Sequence, residues 1–82
     1  MKRTLLQDFK QIYKKNGEEH IYNYQVTIVL DTQDYKYRIM NVTSGSIWKN
    51  NSFETYDEAK NFLCKHPHFT GSGKEVELNK LY

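Results

Sequence analysis

Cys64, His66 and His68 stand two apart around Pro67, and a thiolate with two imidazoles is a legitimate zinc-ligand set. A structural zinc site needs four ligands, and His20 is the one histidine left to supply the fourth. The expectation is therefore no metal, only a half-buried cysteine at a helix end with two solvated histidines. Nucleophilic catalysis would pair Cys64 with His66 or His20 and would need a third group to orient the base. A chain of 82 residues has little wall with which to exclude water around such a pair. No catalytic residue is assigned, and a non-enzyme is expected. Gly71-Ser72-Gly73-Lys74 suggests a phosphate loop, but His68 stands where its first glycine belongs and Glu75 where its Ser or Thr belongs. That segment reads as a solvated hinge. Asp31 and Asp34 sit in a polar turn and read as turn formers rather than an acid-base pair. No cofactor follows from any of these residues.

What remains is aromatic and basic. Seven Tyr, four Phe and Trp48 are many rings for this length, and Tyr, Trp and Arg are the residue types enriched at binding hot spots. Lys36, Arg38, Met40, Trp48 and Lys49 form the expected partner-binding face. A secondary basic patch, Lys2, Arg3, Lys10, Lys14 and Lys15, crowds the N-terminus, where Asp8 is the one acid. The whole chain carries twelve Lys and Arg against ten Asp and Glu. An excess of +2 does not by itself announce a nucleic-acid partner. No apolar run approaches the roughly 18 residues of a membrane span, and the first residues lack the apolar stretch of a secretory signal. No membrane contact and a cytoplasmic setting are expected.

The elements that must position these residues fit one domain, 1–82, with one small core. Leu5, Phe9, Ile12 and Tyr13 recur at helical spacing, Leu6 widens the stripe, and Thr4 with Gln7 fits a capping box. Asn16-Gly17 then reads as a left-handed stop, and Lys14 and Lys15 would complement the helix dipole. Residues 1–16 are thus predicted to be an N-terminal helix. From Ile21 to Leu30 the period becomes two, with Tyr22, Tyr24, Val26, Ile28 and Leu30 on one face and Asn23, Gln25 and Thr27 on the other. A polar turn over Asp31-Thr32-Gln33-Asp34 sends Tyr35 to Val42 back as the return arm of a hairpin. Ile47-Trp48-Lys49 starts a third strand that fades in Asn50-Asn51-Ser52.

Residues 21–53 are predicted to form a three-stranded antiparallel sheet. Thr55-Tyr56-Asp57-Glu58 is a capping box that opens a second helix, 55–65, which Pro67 ends. Residues 70–82 read as a flexible tail or an edge strand, with Val76 and Leu78 alternating against charges. The expected fold class is α+β, in the order α-β-β-β-α-(β), three strands packed on two helices. If Tyr22, Tyr24, Val26 and Ile28 face those helices, Lys36 and Arg38 lie on the opposite face beside Gln25 and Thr27, open to a partner.

Three strands followed by Ser52-Phe53-Glu54-Thr55-Tyr56-Asp57-Glu58-Ala59-Lys60-Asn61-Phe62-Leu63 resemble the arm-type, AP2-like DNA-binding domains of phage and transposon integrases. The resemblance covers roughly residues 21–65. It implies a sheet that enters the major groove, a helix packed behind it, and Lys36, Arg38 and Lys49 facing the groove. Residues 21–64, however, hold four basic against five acidic side chains, and phosphate neutralisation dominates DNA affinity. Direct DNA or RNA contact is accordingly the alternative expectation.

In size, mixed architecture and an Asn-, Lys- and Tyr-rich composition the chain is also similar to small inhibitors of host defence systems made by phages and mobile elements, anti-CRISPR proteins among them. That likeness implies a non-enzymatic protein that binds and blocks a host nucleic-acid-handling defence protein. A third expectation is self-association through an exposed strand edge.

Overall fold

Asn16 and Gly17 both adopt positive φ, 54° and 80°. Two consecutive left-handed residues are what a type I′ turn requires, and its twist matches that of the strands it joins. The turn connects β1 (Arg3–Lys15) to β2 (Glu18–Asp31). The two pair antiparallel in unbroken register from Leu6 opposite Thr27 to Lys15 opposite Glu18. The chain is seen in a computed structural model, which describes residues 3–78.

β2 passes through a turn over residues 32–35 into β3 (Lys36–Asn41). A second turn, with Gly45 at φ 78°, leads to the short β4 (Ser46–Ile47). The chain then fades from regular pairing over Asn50-Asn51-Ser52. It touches the edge of β3 once more, where Phe53 and Tyr37 exchange two backbone hydrogen bonds of 2.9 Å. Helix α1 (Tyr56–Cys64) follows, then β5 (Phe69–Glu77). All neighbouring strands are antiparallel, in the order β4-β3-β2-β1-β5.

Helix α1 starts where its caps dictate. Thr55 Oγ1 accepts from the Glu58 amide at 3.2 Å, and the Glu58 carboxylate accepts from the Glu54 amide at 3.1 Å. Ala59 and Leu63, four apart, form its buried stripe. They close over Phe9, Tyr24, Val26, Ile28 and Ile39, which come from three adjacent strands and share one face of the sheet. The rings of Tyr37, Trp48, Phe53 and Phe62 surround this core. Past the helix, Pro67 prevents continuation, and a tight turn closed by Phe69 N–H to the His66 carbonyl (3.0 Å) launches β5.

β5 lies along the outer edge of β1, in register from Arg3 opposite Glu77 to Gln7 opposite Gly73. The register then shifts, so that Phe9 faces Phe69. The four steps of β5 between those pairs against two of β1 make a bulge, and Gly71, at φ 81°, absorbs it. Asp8 holds the bulge in place. Its backbone carbonyl accepts from Thr70 Oγ1 (2.8 Å) and its carboxylate from Ser72 Oγ (2.9 Å). At Gly73 a Cβ would sit 2.8 Å from the Leu6 carbonyl oxygen, so the close approach of the two strands needs glycine there.

The fold differs from the sequence-based expectation of three strands on two helices. It has a five-stranded antiparallel sheet and a single helix, because residues 3–15 of the expected N-terminal helix are a strand. β2 is long and strongly alternating, and β1 satisfies one of its hydrogen-bonding edges from Glu18 to Thr27. The residues read as helix caps do other work. Thr4 is fully buried in mid-sheet, and Gln7 Nε2 donates to the carbonyls of Asp8 and Ser72. Gly71-Ser72-Gly73, read as a hinge, lies inside β5. Of the two readings of the tail, residues 70–77 follow the edge strand, while residues 79–82 lie outside the described residues. Among the described residues no helix is long and apolar enough to cross a membrane.

The topology makes a stability prediction. Leu63→Ala should destabilise the protein by about 2–5 kcal/mol, since it opens a cavity between α1 and the sheet. Ile12→Ala should change stability by no more than about 0.5 kcal/mol, because Ile12 is 55% exposed on β1 rather than buried on a helix stripe. Urea denaturation of the two variants measures both.

Candidate functional site

β1 and β2 outrun their neighbours. β5 accompanies β1 only as far as Phe9, with a last bond from Lys10 N–H to the His68 carbonyl (2.8 Å). β3 accompanies β2 only from Val26 onward, with Val42 N–H bonded to the Gln25 carbonyl (2.8 Å). Between these points, residues 11–24 form a two-stranded arm with no strand among the described residues beside it on either edge, and the molecule is correspondingly elongated, 44 × 23 × 19 Å.

Strand alternation gives the arm two unlike faces. On one, Ile12 stands directly opposite Ile21, 55% and 57% exposed, with Lys10, Lys14, Glu19 and Asn23 around them. On the other, Tyr13 stacks on His20 with ring centroids 5.5 Å apart, and Gln11 and Tyr22 follow toward the body.

The second face runs into a cleft. Tyr22 stacks on Tyr24 at 4.8 Å, and the Tyr24 hydroxyl lies 2.7 Å from His68 Nδ1. His66 sits among Phe9 (4.9 Å), His68 (4.8 Å) and Trp48 (5.3 Å), and the edge of Phe62 meets Trp48 at 6.3 Å. These rings and the amides of Gln11, Asn41 and Asn51 enclose about 370 Å³. Among the described residues no carboxylate, ammonium or guanidinium lines this space.

Two of its titratable groups, His66 and Tyr24, are shifted toward their neutral forms. Burial, and then the neighbouring His68, lower the pKa of His66 below the ordinary 6.5. His66 Nδ1 also accepts a hydrogen bond from the His68 amide at 3.1 Å, which protonation would abolish. Burial, and then Tyr22, raise the pKa of the Tyr24 hydroxyl.

The residues expected to form one partner-binding face are divided by the sheet. Lys36, Arg38 and Met40 alternate onto the face that carries Gln25, Thr27 and Val29. Trp48 packs on the core side with Phe9, His66 and Phe62, and Lys49 is exposed in the turn that follows. The two cations on the sheet are already engaged. Arg38 reaches Asp34 at 2.6 Å and Asp31 at 3.2 Å, and Lys36 reaches Glu54 at 3.4 Å. Asp31 and Asp34 also accept from the amides of Gln33 and Lys36, the turn-forming role their position suggests.

The basic residues of the N-terminal segment do not form a cluster. Arg3 lies at one end of β1, bonded to the Glu75 carbonyl at 3.0 Å. Lys14 and Lys15 lie at the other end, roughly 40 Å away at about 3.4 Å per strand residue, opposite Glu19 and Glu18. Lys10 lies between them, and Lys2 is outside the described residues. Cys64 is exposed, His20 is on the arm, and among the described residues no three metal-ligating side chains converge.

The arm and the cleft were not anticipated from the sequence. The signal that carries the arm is Asn16-Gly17 between two strands, the strongest short-range mark of a hairpin. The cleft has no sequence signal, because Tyr22, Trp48 and His66 meet only through the sheet register and the turn after α1.

Acid should act in two separate windows. His66 has a lowered pKa in the folded state, so its contribution to stability is complete above about pH 6.5 and declines as pH falls from there through the folded value. Asp8, lowered first by its hydrogen bond from Gln25 and then by that from Ser72, adds stability above about pH 3.8 that is lost only below it. His66→Asn should flatten the first decline and Asp8→Asn the second, as measured by denaturant midpoints across pH.

Comparison with protein-family models, curated proteins and solved structures found no match to this chain.

Proposed function

We propose that this chain is a non-enzymatic binding protein that docks on a protein partner through its projecting arm, and that the partner is a nucleic-acid-handling host protein which it blocks. The observation that carries the docking mode is the exposed Ile12–Ile21 pair on an arm whose strand edges are both unpaired. Large apolar side chains displayed together on a projection gain only their contact with each other in the monomer, while strand edges offer ready backbone donors and acceptors. The choice of partner class rests on the likeness in size and composition to phage anti-defence inhibitors.

The opposing reading, DNA gripped by the sheet in the manner of integrase arm domains, meets an electrostatic obstacle. Phosphates would have to displace Asp31, Asp34 and Glu54 from Arg38 and Lys36.

The test is affinity capture from host lysate with the wild-type chain, an Ile12→Ser/Ile21→Ser arm variant and an Arg38→Ala variant, each with and without nuclease treatment. The arm variant should remain folded, since Ile12 and Ile21 are more than half exposed, and circular dichroism checks the fold of both variants. The proposal expects a protein that wild type and the Arg38 variant retain after nuclease treatment, that the arm variant loses, and whose nucleic-acid activity the wild-type chain suppresses. Retention that nuclease abolishes, or that the arm change leaves intact, contradicts it.

A further inference from the structure

The cleft beside the arm is a second surface, on the face away from Ile12 and Ile21, and it bears on ligand binding independently of how the arm docks. Its lining has three properties that together narrow the ligand. The first is ring surface: Tyr22 and Trp48 are both only partly buried, and flat π-systems stack on such rings in offset geometry. The second is hydrogen bonding without charge. The amides of Gln11 and Asn51 each offer a donor and an acceptor side by side, the geometry with which Asn and Gln read a base edge. The third is neutrality, since among the described residues the lining has no charged side chain and burial shifts His66 toward its unprotonated form.

A phosphate, carboxylate or ammonium group would find no counter-charge inside. At about 370 Å³ the cleft lies at the small end of ligand sites, which run from roughly 300 to 1,000 Å³. Charge appears only outside it. Lys49, next in sequence to Trp48, is exposed, and among the described residues it forms no ion pair.

We infer that the cleft binds one unpaired nucleobase, stacked on Tyr22 and held at its edge by Gln11 and Asn51. The base belongs either to a free nucleoside or to a single strand whose phosphates run past Lys49. Stacking of a base on an aromatic side chain tolerates any base identity and survives without duplex geometry.

Trp48 is the chain's one tryptophan, so its fluorescence reports directly on the cleft. The experiment titrates the full chain with adenosine, with uridine, with a single-stranded ten-nucleotide oligo(dT), and with maltotriose as an uncharged ring ligand of different chemistry. The inference expects a saturable change with nucleosides, with the strand, or with both. Saturation by nucleosides identifies a free ligand, and saturation by the strand alone identifies a base presented by a polymer. Tyr22→Leu should weaken that binding by about 5- to 100-fold, and Arg38→Ala, on the other face, should leave it unchanged. Asn51→Ala, in a surface turn, provides a second variant if Tyr22→Leu fails to fold. No saturable change with either nucleoside or the strand overturns the inference. So does saturation by maltotriose alone, an affinity indifferent to both cleft variants, or an equal loss from Arg38→Ala.

Discussion

Backbone hydrogen bonding along β2 is the constraint on which the rest of the molecule depends. A strand of this length has two edges of donors and acceptors, and each must be paired or left to water. β3 satisfies one edge from Val26 to Asp31, and β1 satisfies the other from Thr27 down to Glu18. Because β1, with 13 residues, nearly matches the 14 of β2, the ladder continues past the point where β3 and β5 stop. The arm is therefore a consequence of strand length, made by the same hydrogen bonds that build the core.

The two ends of the ladder live in different solvents. At the body end, Phe9 and Tyr24 are opposite one another and buried under the helix and the rings of His66 and His68. At the arm end, Ile12 and Ile21 also stand opposite one another, on the other face of the sheet, and both are more than half exposed. The helix α1 is short, and its two buried positions, Ala59 and Leu63, cover only the middle of the sheet. Aromatic side chains complete the cover at its margin, where their packing leaves the cleft. The sheet thereby separates two surfaces: a neutral aromatic cleft on one face, and on the other Arg38 and Lys36 paired to carboxylates, with the exposed Ile12–Ile21 pair farther out along the arm.

Much of the body was legible in the sequence, and the reason is local. The alternation of Tyr22 to Leu30, the polar turn at Asp31 to Asp34, the fading third strand and the Thr55 cap each rest on neighbouring residues, and each is present in the fold. The N-terminal segment was misread because Leu5, Phe9, Ile12 and Tyr13 satisfy helical spacing while the deciding information lies in β2. Asn16-Gly17 suits a helix stop and a type I′ turn equally on glycine alone, and it is the positive φ at Asn16 as well that distinguishes them. The site was less legible still. Alternation placed Lys36 and Arg38 on a face of the sheet, but their capture by Glu54, Asp31 and Asp34 depends on how two loops fold back. Trp48 went to the other face by a single step of register past Ile47.

The central claim is that residues 3–15 form a strand whose pairing with β2 extends into a free-standing arm. Proton NMR of the uniformly labelled chain tests it most directly. Counting back from the two-residue turn, Ile12 and Ile21 form a non-hydrogen-bonded pair, in which opposed Cα atoms approach to about 4.5 Å. The account predicts strong Hα–Hα cross-peaks between Ile12 and Ile21 and between Lys14 and Glu19. Their absence, with sequential amide–amide contacts from Leu5 through Tyr13 in their place, would show a helix there and contradict both the sheet order and the arm.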